Sequence, residues 1–153
     1  MQWITRERPK IDRVACPWLI VRFIDERPAF LYVPPGDVLR IAGETGAIPY
    51  DIPGVELTHV GEYCSFDAFL DKYGLTGDRA LQQMARIVRG ADTSRLDLTP
   101  QSSGLYAISL GLSALFSDDH VMLEHGLVMY DALYAWCRQC QAESHAWPPK
   151  MGA

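Results

Sequence analysis

The 153-residue sequence predicts an α/β domain: a small sheet of short strands wrapped by about six helices, with a long central helix near the C-terminus. Three observations predict it. Two short segments have strand length, QWITR at 2–6, followed by polar chain, and the apolar run AFLYV at 29–33, closed by prolines. Segments with helical spacing and recognisable start and stop residues lie between and after them. Finally, DDHVMLEHGLVMYDALYAWC, residues 118–137, carries apolar side chains on nearly every side of a helix, the pattern of a buried one.

Taken in order, the strand at 2–6 leads through a polar loop to Pro17, which suits the first position of a helix over 17–25 and leaves Cys16 at its N-cap. The strand at 29–33 is closed by Pro34 and Pro35, and a helix over 37–44 follows, with Asp37 at its start and Gly46 near its end. Residues 47–61 hold short extended pieces broken by Pro49, Pro53 and Gly54. Ser65 is expected to cap a helix to Tyr73, stopped by Gly74, and Leu81, Met84, Ala85 and Val88 give helical spacing over 78–89, ended by Gly90. Thr99 and Pro100 open a helix to Phe116 whose small residues would let a neighbouring helix approach closely, and Ser117 caps the long helix, 118–141. The single domain therefore covers 1–143, with 144–153 a loosely held tail.

Composition narrows the function. A hydrophobic content of 48% and a charged content of 22% are ordinary for a globular chain. A net charge of -5 argues against direct nucleic-acid binding. No apolar run has membrane-spanning length and the N-terminus lacks a signal-like apolar segment, so a cytoplasmic protein without membrane contact is expected. Four cysteines in a chain this long read as reduced thiols, and the CRQC spacing at 137–140, late in a helix, reads as incidental.

Three groups of residues could carry chemistry. On a helix of about 100° per residue, His120, Glu124 and Asp131 share one stripe. An imidazole and a carboxylate one turn apart can meet one ion, with Asp131 bracing them from behind. Upstream, THVGEYCSFD supplies His59 and Glu62. Joined across the core, His59, Glu62, His120 and Glu124 would hold a divalent metal ion, and two imidazoles with carboxylates suit zinc, iron or manganese. The third group is PKIDRVACPWLIVRF, where Arg13 and Cys16 are candidate catalytic groups and Asp12, Arg13 and Arg22 candidate contacts to a small anionic ligand at a helix N-terminus. Arg86, Arg89 and Arg95 are further cations with Asp92 as local partner, a set more typical of a helix C-terminus than of a site.

WITRERPKIDRVACPWLIVRFID, FLYVPPGDV, IPGVELTHVGEYCSFDAFL, ARIVRGADT and SDDHVMLEHGLVMYDALYAW together resemble the chromate-resistance domain that forms the C-terminal half of ChrB-type proteins, along almost the whole chain. The resemblance implies a role in bacterial chromate resistance, a stress response to a tetrahedral oxyanion, and partners that are regulatory or rhodanese-like. It singles out Asp12, Arg13, Cys16, Trp18, Arg22, His59, Cys64, Asp92, His120, Glu124, Tyr130 and Asp131. No regulatory segment precedes residue 3 here, so DNA binding is not expected. Three readings follow: a metal-dependent enzyme or sensor acting on a small anion such as chromate, an oxyanion-sensing module without chemistry, or an interaction domain with a buried polar network.

Overall fold

The computed structural model describes residues 1–146 and 148. Of the tail expected over 144–153, residues 147 and 149–153 lie outside the described residues. Strands β1 (Gln2–Arg6), β2 (Ala29–Val33) and β3 (Ile48–Pro49) form a parallel sheet in the order β2-β1-β3. Trp3 pairs with Phe30 on one side and Ile48 on the other. Six α-helices surround it: α1 (Asp12–Leu19), α2 (Val38–Thr45), α3 (Ser65–Lys72), α4 (Arg79–Asp92), α5 (Ser102–Leu115) and α6 (Asp119–Ala135). Helices α1 and α6 each run on into a π-helical turn, Ile20–Ile24 and Trp136–Cys140. Among the described residues, no helix is long and apolar enough to cross a membrane.

Both faces of the sheet are covered, as parallel strands require. Trp3, Phe30 and Tyr32 face the larger core, built with α1, α3, α4 and α6 around Trp18, Phe66, Phe69, Leu81 and Met84. Ile4, Leu31 and Val33 face a smaller core closed by Val38 of α2 with Ala47 and Ile52. Because β1 connects to β2 on one side and β3 lies on its other side, the chain reverses its strand order beside β1. In open parallel sheets that is where ligands bind, outside the carboxyl ends of the strands.

Four boundaries differ from expectation. Helix α1 starts five residues earlier than Pro17 suggests, so Pro17 and Cys16 lie inside it. The missing Pro17 N–H removes one helical bond to the Arg13 carbonyl, and burial of Val14, Ala15, Trp18 and Leu19 outweighs that loss. Cys64 rather than Ser65 is the N-cap of α3, with Asp67 Oδ2 accepting from the Cys64 N–H at 3.0 Å. Gly90 continues α4 instead of ending it, and its lack of a side chain makes room for the Ser102 hydroxyl of α5, which occupies the space where a Cβ would sit. Asp118 rather than Ser117 caps α6, accepting from the N–H groups of His120 and Val121 at 2.9 and 3.1 Å.

Helix α6 buries Met122, Leu123, Gly126 and Tyr130 and leaves the other side open, with Val128 66% exposed. Gly126 lets it cross α1 in contact with Val14, which would overlap any larger side chain there.

Candidate metal centre

Beyond the carboxyl ends of β1 and β3, four side chains from four segments converge. Asp12 is the first residue of α1, Asp51 follows β3, His59 lies in the loop before α3, and Asp92 ends α4. His59 Nε2 is 3.4 Å from Asp12 Oδ2, 3.2 Å from Asp51 Oδ1 and 3.0 Å from Asp92 Oδ2. One ligand-competent atom from each lies within 4.8 Å of all the others. Asp12 is fully buried, whereas the His59 side chain is 38% exposed and forms the solvent side of the group.

Each carboxylate is fixed by its surroundings. Asp12 accepts from the Ser65 and Phe66 N–H groups at 2.7 and 3.0 Å, so it caps the N-terminus of α3 from a different part of the chain. The Cys16 thiol donates to Asp12 Oδ1, the oxygen that also accepts from Phe66, at 3.4 Å. Asp51 accepts from Ser65 Oγ at 2.7 Å and from Arg6 at 3.2 Å, with Arg13 Nε at 3.5 Å. Asp92 stands at a helix C-terminus, where a carboxylate is electrostatically disfavoured; the imidazole it faces at 3.0 Å and the Asp12 N–H, which donates to its Oδ1 at 3.4 Å, offset that.

The backbone is strained beside two of the four. Asp51 has φ +54°, and Ile11, immediately before Asp12, has φ +52°. Asp tolerates that region, whereas a β-branched isoleucine is a genuine outlier there. Tyr130 of α6, wholly buried, donates its hydroxyl to the Ile11 carbonyl at 3.0 Å and so holds the strained residue in place. Strain of this kind concentrates at functional sites.

The electrostatics follow from the crowding of like charges. Hydrogen bonds to Asp12, Asp51 and Asp92 push the His59 imidazolium up to about 12. Burial raises Asp12 to about 7 against the opposing pull of His59, with Asp92 and Asp51 adding to the rise. Burial also works to raise Asp51, but hydrogen bonds from His59 and Ser65 outweigh it and hold that carboxyl below its ordinary value.

His59, expected as a ligand, is at the centre of this group. The rest of the expected set is elsewhere: among the described residues the cluster is Asp12, Asp51, His59 and Asp92, without Glu62, His120 or Glu124. Glu62 is exposed at the tip of the turn closed by Val60 and Tyr63. His120 is exposed and meets the Tyr32 ring edge-on at 5.2 Å, and Glu124 is exposed, because the buried stripe of α6 runs through Met122, Gly126 and Tyr130 instead. Asp131 braces nothing in the cluster. It forms a two-pronged pair with Arg22 at 2.9 and 2.7 Å and accepts from Trp18 Nε1 at 2.7 Å.

The anion-contact residues are corrected likewise. Arg22 is engaged by Asp131, and Arg13 donates to the Arg6 and Glu7 carbonyls at 3.0 and 3.1 Å while facing Asp51. Asp12 belongs to the acidic group rather than to an anion contact. Cys16 is inside α1 with 0% exposure, and burial pushes its thiol well above its ordinary value, the opposite of an N-cap thiolate. Arg89 is paired with Asp67 at 2.8 Å and covered by the Tyr63 ring at 4.6 Å, so Asp92 serves His59 and not the arginines around it. Asp51 went unnoticed because an aspartate between two prolines has the composition of a turn. Only its register beyond a two-residue strand could have pointed to it.

Comparison with known proteins supplies the context. The family model described as "ChrB, C-terminal domain" matches residues 3–137. A curated relative, "Protein ChrB" of Cupriavidus metallidurans, is 32% identical over 133 residues, which cover 87% of this chain and 40% of that protein. No solved structure matches the chain. The chain belongs to the ChrB C-terminal domain family, associated with chromate resistance.

Proposed function

We propose that this domain holds a divalent metal ion between Asp12, Asp51, His59 and Asp92, and that the ion is the working part of a cytoplasmic enzyme or metal-dependent sensor that meets a small anion in chromate resistance. The observation that carries the reading is the distance set around His59 Nε2: 3.0, 3.2 and 3.4 Å. Ligands about 2.1 Å from a common ion are about 3.0 Å apart along an octahedral edge and about 3.4 Å apart along a tetrahedral edge. One imidazole nitrogen with three carboxylate oxygens suits manganese or iron(II) and accommodates zinc.

Three carboxylates repel chromate itself, so an anion would meet the ion from the exposed His59 side. There the ion could polarise an oxyanion or activate a water. The buried thiols of Cys16, Cys64 and Cys137 support a reducing, cytoplasmic setting.

One observation favours a second reading, in which the group is only a buried network. The three carboxylates face three cationic side chains, protonated His59, Arg6 and Arg13, and so balance without an ion. Elemental analysis of the tag-free protein separates the two. The metal reading expects near-stoichiometric metal that disappears in His59→Ala and Asp92→Ala and persists in His120→Ala and Glu124→Ala. A parent protein without metal, even after incubation with manganese, iron or zinc, overturns it.

A further inference from the structure

Between β1 and α1 the chain makes a short turn that presents Asp12, and both ends of that turn are bent unfavourably. Arg8 has φ +52°, as has Ile11. Two residues with side chains in the left-handed region, three positions apart, are uncommon, and such strain persists only where the surroundings over-determine it. Here the hold comes from α5, α6 and the corner between them. The Arg8 N–H donates to Asp119 Oδ2 at 3.0 Å, in the first turn of α6. The Arg8 guanidinium donates to the Ser113, Phe116 and Ser117 carbonyls, so it satisfies the open C-terminal end of α5. At the far end of the turn, Tyr130 donates to the Ile11 carbonyl, which also opens α1 by accepting from the Ala15 N–H at 2.8 Å.

Neither Arg8 nor Tyr130 belongs to the metal centre, yet both act on the backbone beside it. Ile11 precedes Asp12, whose N–H donates to Asp92 Oδ1 at 3.4 Å. The Asp12 carboxylate, meanwhile, is fastened to the Ser65 and Phe66 N–H groups of α3. If Ile11 relaxed, the Asp12 main chain would shift against a carboxylate that is held, and Asp92 would lose its bond to that main chain. Two of the four ligands therefore depend on one strained turn.

We propose, on the metal reading above, that Arg8 and Tyr130 are positioning residues for the ion. They hold the turn in the form that keeps Asp12 and Asp92 within reach of the ion that His59 and Asp51 meet. Coupling of this kind is reciprocal, so a bound ion in turn steadies the α5–α6 corner, which supplies no member of the cluster.

Isothermal titration of the tag-free protein with manganese(II), iron(II) or zinc, whichever the parent binds, tests this beside Tyr130→Phe and Arg8→Lys. Tyr130→Phe keeps the buried ring and removes only the hydroxyl. Arg8→Lys keeps the charge and loses the fork that reaches three carbonyls. Each is expected to keep the parent's circular dichroism and to bind the ion about tenfold more weakly, the lower end of the loss when a residue that orients a metal ligand is changed. Folded variants with the parent's affinity overturn the proposal and leave the metal reading standing, whereas a parent that binds none of the three ions overturns both. Hydrogen exchange of the unsubstituted protein supplies a readout that a merely structural role would not move and that needs neither variant to fold. The ion is expected to slow exchange over 113–121, at the corner, more than over 38–45 of α2, on the opposite face of the sheet. Equal changes in the two segments overturn the proposal as well.

Discussion

Removing the His59 imidazole isolates what holds three carboxylates together. In the metal-free protein, His59→Ala leaves Asp12, Asp51 and Asp92 facing one another with the shared cation gone, and Asp12 has no exposure to water. Breaking a fully buried ion pair from one side costs about 3–5 kcal/mol. The His59 side chain is 38% exposed and solvent screens part of its charge, so roughly 2 kcal/mol is the appropriate figure. In a domain of this size that lowers Tm by about 4–8 °C.

The loss depends on pH, and the signs can be worked out group by group. His59 is raised from 6.5 to about 12, so its contribution is complete below 6.5 and is lost as pH rises through about 12. Asp12 is raised from 3.8 to about 7, so it favours the fold most below 3.8 and ceases to by about 7. Asp51 is lowered, so its contribution is present above 3.8 and is lost as pH falls. Metal-free parent protein should therefore be most stable near pH 3.8 and weaken as pH rises, through Asp12 up to about 7 and through His59 from 6.5 to about 12, and His59→Ala should flatten the decline above 6.5. Thermal denaturation in chelator at several pH values measures both effects. A His59→Ala protein as stable as the parent at pH 6 refutes the reasoning.

Two further outcomes follow from the packing. Cys16 should resist alkylation by iodoacetamide in the native state and react only on unfolding, read by mass spectrometry with and without urea. Labelling at the rate of a free thiol would show that the Asp12–Cys16 contact opens. Gly90→Ala places a methyl group on the Ser102 hydroxyl and should cost about 1–3 kcal/mol by urea denaturation, whereas a change below about 0.5 kcal/mol would mean that α4 and α5 separate easily.

Strand β2 was legible because a parallel strand between covered faces is a short continuous apolar run, and AFLYV is one; β1, QWITR, was legible only as a strand-length segment around Trp3 and Ile4 ahead of a polar loop. His59 and Asp12 were also visible as residues with chemical work to do. What the residues could not convey was which face of α6 turns inward. A helix with apolar side chains nearly all round has no preferred phase, and Gly126, which lets α6 approach Val14, together with the Tyr130 hydroxyl on Ile11, fixes it. That phase sends His120 and Glu124 outward. Pro17 misled for a related reason: its preference for a first turn is smaller than the burial gained by starting α1 at Asp12. Asp51 could not be placed in advance, because β3 is two residues long and its partner β1 lies more than 40 positions earlier.

The attachment of Asp12 to the start of α3 bears on which ions could be accommodated. Both of its oxygens already accept backbone N–H groups, at 2.7 and 3.0 Å, so the carboxylate can neither rotate nor recede without uncapping that helix. Calcium requires six to eight oxygens at about 2.3–2.6 Å and flexible carboxylates to supply them. An immobile carboxylate opposite one imidazole would discriminate by size, favouring small ions with short bonds over calcium, and would make the fold of α3 part of that selectivity.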